Sequence, residues 1–444
     1  MQAQLSLPIA PVTKRVYRPR GINALQILFQ KHFQRIAEQY ESKFAVIYGR
    51  FRIERITEVV EKFILCGDYS RGVARIQCTN PECKFEYFRP FSCKSFYFCP
   101  SCSQKRTLLF SEYMHERLLL NLPHRQFVWT VPRILRPYFR HNRRLFSEIS
   151  RLIFAIIKRF YSKAANTGII TGMVLAYQTS GEFLRWNPHF HCLVLEGGFD
   201  ENGRFVHIPL GNLNRMSEYF RRVIIKFFLK KELISAKIAT SLINWRHSGF
   251  SVDNSIHLPA HSTKARKALS QYISRPPLSL KKISVCENGD ATVISYTSDN
   301  EFFQEKTQTF SVMRFLLELT QHVPPRGSQY IRRYGLYASR TKGKWLDMPH
   351  VMRLAPAGWK AECLKASESV ESYYEGSTVS DQESCSTWAR LIAQVYEVDP
   401  LTCNRCGSPM RILAVITEPE EVKKILRHLV KIGRSPPGLD PNFV

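Results

Sequence analysis

WNPHFHCLVLEGGF, residues 186–199, places two histidines one residue apart at the head of an apolar run that reads as a buried β-strand. Side chains at i and i+2 leave a strand on the same side, so His189 and His191 project together. Two neutral imidazoles held side by side on rigid backbone form half of a divalent-cation site, one able to polarise a phosphate or carbonyl oxygen. A second strand, from Thr171 to Gln178, precedes them across a polar loop containing Gly181, which predicts a β hairpin. Helical periodicity follows at about 213–234 and 263–274, so the expected fold class is α+β.

The chain has 444 residues, enough for two or three domains, and its 44% hydrophobic content supplies a core. Lys and Arg number 64 against 37 Asp and Glu, a net charge of +27, which points to a polyanionic partner with nucleic acid first. Charge alone supports only non-specific phosphate binding. Basic residues at Lys14, Arg15, Arg18 and Arg20 precede no apolar run of signal-peptide length, and Lys158 and Arg159 interrupt the apolar segment LIFAIIKRFY. A cytoplasmic protein with no membrane partner is expected.

Five regions follow from pattern and composition. Residues 1–65 form a helical N-terminal region, 66–106 a cysteine-rich zinc-binding domain, and 107–345 a central α+β domain. Residues 362–386 are acidic and Ser-rich and read as a flexible linker, and 387–444 form a small C-terminal module. In that module TEPEEVKKILRHLVKIG has a capping box from Thr417 to Glu420, an apolar stripe and a terminating Gly433.

Twelve cysteines in a chain of this kind favour metal binding and buried thiols over disulfides. Cys78 and Cys83 form one knuckle-like pair, and Cys99 and Cys102 a C-x-x-C pair downstream, a spacing that suits tetrahedral Zn²⁺ in a structural role. Cys66 and Cys93 are alternates, so which four of these six bind stays open. Cys403 and Cys406 supply half of a second site with no evident partner pair; Cys385, His428 or a second subunit could complete it, and a metal-free turn is the alternative. Lys94, Lys105 and Arg106, with Phe96, Tyr97 and Phe98 between them, make a basic and aromatic surface suited to phosphates and stacked bases.

ARKALSQYISRPP, residues 265–277, places Tyr272 near the end of a helix stopped by Pro276 and Pro277, with Arg266, Lys267 and Arg275 around it. A phenol set among cations beside an activated phosphate can attack phosphorus and become a covalent phosphotyrosine. The same spacing, Ala265, Ala268, Leu269 and Tyr272, is also that of a helix face packed on a core.

Several ordered motifs together resemble the rolling-circle transposases of the insertion-sequence 91 type, within the HUH endonuclease superfamily. They are CGDYSRG at 66–72, FSCKSFYFCPSCSQKR at 91–106, Gln178 followed by NPHFHCLVLEGGF, WRHSGFSV at 245–252 and QYISRPPLSL at 271–280. QYIRRYGLYASRTKG at 329–343 and WARLIAQVYEVDPLTCNRCGSPMRILAVI at 388–416 extend the resemblance over most of the chain. Two departures stand out. Four residues separate Cys78 from Cys83 where relatives usually have two, and Asp253 stands where relatives often have histidine.

The resemblance implies an antiparallel sheet of about five strands with helices on one side, and makes residues 107–345 an HUH catalytic domain. It implies that His189 and His191 bind Mg²⁺ or Mn²⁺, with Gln178 as third ligand, and that Tyr272 attacks single-stranded DNA as a single-tyrosine nucleophile. Arg332, Arg333, Arg340 and Lys342 fall to DNA-backbone contact. No G-x-x-x-x-G-K-[ST] segment is present, so a host helicase or replication protein is the expected partner for unwinding. Two other readings share parts of this pattern: a non-catalytic zinc-dependent DNA-binding regulator, and a plasmid rolling-circle replication initiator.

Overall fold

The computed structural model describes residues 22–49, 52–95, 99–288, 291–299, 306–372, 403, 405–436 and 439. It divides into two compact units, one made of residues 65–93 and 378–444 with the N-terminus, the other of 24–64 and 94–377. The larger unit is built on an antiparallel sheet. From one edge its strands run Ile331–Gly335, Gly172–Ser180, Trp186–Leu195, His124–Thr130 and Ser251–Asp253, and His257–Leu258 also pairs with His124–Thr130. The hairpin expected from the sequence is present, and its register sets Gln178 opposite His189 and Ala176 opposite His191.

The histidine strand is central and apolar because both faces of the sheet are covered. One face carries Phe127, Trp129, Tyr177, Phe190 and Cys192 against Ile149, Ile153 and Ile157 of the helix Arg144–Ala165 and Phe220 and Ile224 of the helix Asn214–Lys230. The other carries Val174, Ala176, Leu193 and Leu195 against Met114, Leu118, Trp345 and Trp359, and against Leu269 and Ile273 of the helix Thr263–Ile273. Helices on one side only, the expectation from resemblance, is thus corrected to helices on both: Phe190 and Cys192 on one face and Leu193 and Leu195 on the other each meet an apolar layer. The helices Ala24–Gln39 and Ile53–Ile64 belong to this larger unit, joined through Phe29 and Phe63 with ring centroids 5.8 Å apart.

In the smaller unit Met410–Ile416 pairs with Val73–Cys78, which pairs in turn with Glu86–Pro90. The helix Pro419–Lys431 lays Val422, Leu426 and Leu429 on Tyr69, Val73 and Phe88. The division of 66–106 from 387–444 therefore does not describe the structure. Neither segment buries a core alone, and the strand register Cys78 to Met410 joins them. Residues 94–106 belong to the larger unit. The capping box is corrected too: Glu418 is the N-cap, with Pro419 at the first helical position.

The segment 362–386 is not wholly a linker, because residues 362–372 continue the helix Ala357–Ser372, anchored where Trp359 meets Trp345 at 5.2 Å. Residues 373–386 lie outside the described residues, as do Lys14, Arg15, Arg18, Arg20, Phe96, Tyr97, Phe98 and Cys385. Among the described residues no helix is long and apolar enough to cross a membrane.

Arg266, expected at the DNA, is instead buried at 1% exposure and donates hydrogen bonds to the carbonyls of Leu120 at 2.9 Å and Leu122 at 2.7 Å. Its guanidinium ties the helix that carries Tyr272 to the chain leaving Met114–Leu118, whose last carbonyls lack helical partners. Arg266→Met is expected to lower unfolding free energy by about 2–3 kcal/mol by removing the charged hydrogen bonds to those carbonyls, which keep only the Leu122 N–H and His124 Nδ1 as partners. Urea denaturation checks this; an unchanged midpoint would show that the guanidinium carries no structural load.

Candidate functional site

The histidine strand presents Asn187, His189 and His191 in a row on the face toward the helix Thr263–Ile273. The two imidazole centroids lie 4.8 Å apart, and the Tyr272 ring meets His191 edge-on at 5.4 Å. Tyr272 is 40% exposed, whereas Arg266, Leu269, Ser270 and Ile273 are the buried positions of its helix. The core-packing alternative for this phenol is thereby ruled out. Arg275 lies over the Tyr272 ring with its guanidinium carbon 4.3 Å from the centroid.

Hydrogen bonding fixes which imidazole nitrogens are free. His189 Nδ1 lies 2.7 Å from the Asn187 carbonyl, which can only accept, so Nδ1 carries the proton and Nε2 a lone pair. His191 Nδ1 lies 2.9 Å from the Gln126 amide. Gln126 Oε1 and His191 Nε2 are both buried without a partner. Turning the amide so that Oε1 accepts from Nδ1–H satisfies the oxygen and leaves Nε2 with a lone pair. Burial pushes His189 down to about 4 and His191 down to about 3, the latter helped by the neighbouring His189, so both rings are neutral near pH 7. Two neutral rings, each with Nε2 left as a base and Nδ1 tied down, match what a divalent cation needs of histidine.

Gln178, expected as a third ligand, donates from Nε2 to the carbonyls of Ile273 at 3.2 Å and Tyr272 at 3.4 Å. Its nitrogen is committed to holding the helix end, and Oε1 is its one ligand atom. Two polar residues were not singled out in the sequence. Asn187 Oδ1 is buried with no partner, and Gln126 holds His191. Asn187 was legible by strand parity; Gln126 required knowing that His124–Thr130 pairs with the histidine strand. Beside His189 opens a cleft of about 480 Å³, walled by Asn187, Gln178, Arg275 and Lys282.

The basic residues divide. Lys94, Arg106 and Arg340 are exposed and Lys105 is partly buried. Lys267 lies 3.9 Å from Glu116. Arg333 donates to Tyr113 Oη and to Ser339 Oγ at 2.8 Å, and Lys342 lies over the Tyr113 ring at 5.4 Å. Arg332 and Arg333, adjacent on an edge strand, take opposite faces of the sheet.

The cysteines regroup. In the smaller unit Cys78, Cys83, Cys403 and Cys406 bring their sulfurs within 4.8 Å of one another. Cys78 and Cys406 sulfurs are 3.5 Å apart, and those of Cys83 and Cys403 are 3.7 Å apart. A tetrahedron with Zn–S near 2.3 Å spaces its sulfurs by about 3.7–3.8 Å, so the donor set fits zinc. Two tight turns shape it: the Cys83 and Lys84 N–H groups donate to Asn80, and the Gly407 N–H to Cys403, with Gly407 at φ +74°. Hydrogen bonds from Ser408 pull the Cys406 thiol down to about 6. The expected set of Cys78 and Cys83 with Cys99 and Cys102 is corrected accordingly, and Cys403 and Cys406 are no longer half a site. The pairing of Val73–Cys78 with Met410–Ile416 is what delivers them. Of the rest, Cys66 accepts a hydrogen bond from the Cys93 N–H at 3.3 Å, while Cys99 is the N-cap of the helix Pro100–Tyr113 in the larger unit and Cys102 lies in its first turn.

Residues 172–344, which hold the hairpin, both histidines and Tyr272, match a family model described as "Putative transposase", and residues 30–131 match one described as "Transposase zinc-binding domain". The chain is 27% identical over 377 residues to the transposase for insertion sequence element IS801 of Pseudomonas savastanoi pv. phaseolicola, covering 81% of this chain and 84% of that one. No solved structure matches. With a zinc-binding segment ahead of the histidine and tyrosine segment, and a transposase aligned along four fifths of its length, the chain belongs to the transposases of the insertion-sequence 91 type.

Proposed function

We propose that this transposase cleaves and rejoins single-stranded DNA at element ends through a covalent 5′-phosphotyrosine, as an HUH endonuclease with one nucleophilic tyrosine. The observation that carries this reading is the exposed Tyr272 ring set 5.4 Å from the ring of His191, on a helix anchored by the buried Arg266, Leu269, Ser270 and Ile273. His189 and His191 would hold Mg²⁺ or Mn²⁺ through Nε2, with Gln178 Oε1 or Asn187 Oδ1 as further oxygen donors. When bound, such an ion neutralises charge on a non-bridging phosphate oxygen. Tyr272 Oη forms the bond to phosphorus and the bond to the 3′-oxygen breaks. The phenol proton passes to solvent, and the leaving oxygen takes up a proton as a free 3′-hydroxyl. The phosphodiester's energy is kept in the tyrosyl ester, so another 3′-hydroxyl can reverse the step with no nucleotide hydrolysed. Arg275, over the ring, stands where it can meet the negative charge of the phosphate. Unwinding falls to host helicase or replication proteins in the cytoplasm.

The reading extends to zinc. Cys78, Cys83, Cys403 and Cys406 hold one Zn²⁺ that fastens the two chain segments of the smaller unit. The other four thiols of the block, Cys66, Cys93, Cys99 and Cys102, all fall within the zinc-binding match.

Incubation with end-labelled single-stranded DNA of the element's terminus and Mg²⁺ or Mn²⁺ is expected to give an SDS-resistant adduct. Tyr272→Phe should abolish it and keep DNA affinity within about twofold, since one hydroxyl contributes little to a mainly electrostatic interface. Gln126→Leu should lower metal-dependent cleavage by about 10–100-fold through loss of the His191 support. A wild-type protein that binds the strand but forms no adduct would favour a DNA-binding regulator. For the zinc site, Cys403→Ser should remove one zinc per chain by elemental analysis and make the C-terminal helix protease-sensitive. Retention of full zinc content would refute the regrouped ligand set.

A further inference from the structure

The face of the sheet opposite the histidines holds a cavity of about 910 Å³ lined by Arg52, Arg140, Arg143, Arg144, Arg326 and Arg332, with no carboxylate among its described lining residues. Six guanidiniums facing one space repel one another, and the groups around them relieve this only in part. Arg52 and Arg143 donate to the same acceptor, the Gln321 carbonyl, at 3.3 and 2.6 Å. Arg140 and Arg143 lie over the Trp186 ring, at 5.5 and 4.2 Å from its centroid. The nearby acids are few: Glu58 pairs with Arg326 at 2.9 Å, and Glu318 accepts from Tyr48 and Gln321. The Nε atoms of Arg140, Arg143 and Arg332 are buried and make no hydrogen bond. Burial first, and then the charge of Arg52, pushes the Arg143 guanidinium well down from its ordinary pKa. Buried donors without acceptors are costly, and planar forks without carboxylates match phosphate oxygens.

The cavity and the proposed active site flank one strand, Gly172–Ser180, on its two faces. Tyr177 lines it, stacked on Phe146 at 4.1 Å. Gln178, the next residue, lines the cleft beside His189. A narrow crevice at the strand's edge shares Tyr177 with the cavity and Gln178, Ser180, Arg275 and Pro277 with the cleft. Neighbouring residues, Tyr177 and Gln178, thus line the cavity and the cleft respectively.

We propose that the arginine cavity is a second DNA site, which grips the phosphodiester backbone of the same single strand beyond the segment seated at Tyr272 and so holds the strand across cleavage and rejoining. This rests on the single-strand reading above and adds where the strand continues. The cavity binds backbone and not sequence, because guanidiniums on phosphates carry no base information.

The test is salt-dependent binding of labelled single-stranded DNA to the full chain, using one strand long enough to cover both sites and one short enough to fill only the cleft. Arg144 and Arg326 are rim positions, and the Arg144→Glu, Arg326→Glu double variant is expected to weaken long-strand binding about tenfold. It should also flatten the slope of log affinity against log salt by roughly 1–1.5, at about 0.7 for each phosphate no longer neutralised. Short-strand affinity should not change. An unchanged long-strand slope overturns the proposal. If the variant fails to fold, arginine-selective dicarbonyl modification of the wild type decides: the long strand should protect Arg144 and Arg326, and the short strand should not. Protection by inorganic phosphate alone, without protection by DNA, also overturns it. A slope change without any tyrosyl adduct leaves the cavity standing and removes the nuclease reading; an adduct with an unchanged slope removes only the cavity.

Discussion

The hydrogen bonds at Nδ1 of His189 and His191 are the constraint on which the site depends. A buried imidazole has two ways to be satisfied, and here each ring spends Nδ1 on the protein, the Asn187 carbonyl in one case and the Gln126 amide in the other. Burial keeps both rings neutral. What is left is a pair of Nε2 lone pairs at successive same-face positions of a central strand. The apolar layers above and below the sheet exist to hold that strand still. Arg266 then fixes the tyrosine helix over it from beneath, and Gln178 fastens the helix end from the side.

A second constraint is topological. The smaller unit is assembled from stretches more than three hundred residues apart in sequence, and the pairing that unites them is a strand ladder ending at Cys78 and Met410. A three-stranded sheet and one helix bury too little apolar surface to hold together unaided, which is where a four-thiolate zinc site contributes most. The C-terminal module is thus part of the zinc-binding domain in structure, although it lies outside the matched segment 30–131.

The parts of the fold that follow from local periodicity were legible: the hairpin, the helix Asn214–Lys230 and the helix Thr263–Ile273 lie where the spacing places them. His189 and His191 were legible because a strand's period of two is insensitive to what surrounds it. Residues whose role depends on long-range pairing were not. Arg266 has the composition of a phosphate ligand and the burial of a core residue, and only the path of residues 119–122 decides between them. Cys83 has two plausible pairs of partners by spacing, and the choice is made by a strand beginning at Met410. The arginine cavity draws on residues 52, 140–144, 326 and 332, which no motif connects.

The covalent chemistry of Tyr272 is the central claim, and peptide mapping of the protein–DNA product reaches it most directly. Nuclease trimming and tryptic digestion of protein incubated with a single-stranded end and Mg²⁺ should leave a residual 5′-nucleotide mass on the peptide that spans Tyr272, fragmenting to that side chain. A nucleotide carried by any other tyrosine, or by no tyrosine in protein that has demonstrably cleaved the strand, would contradict it.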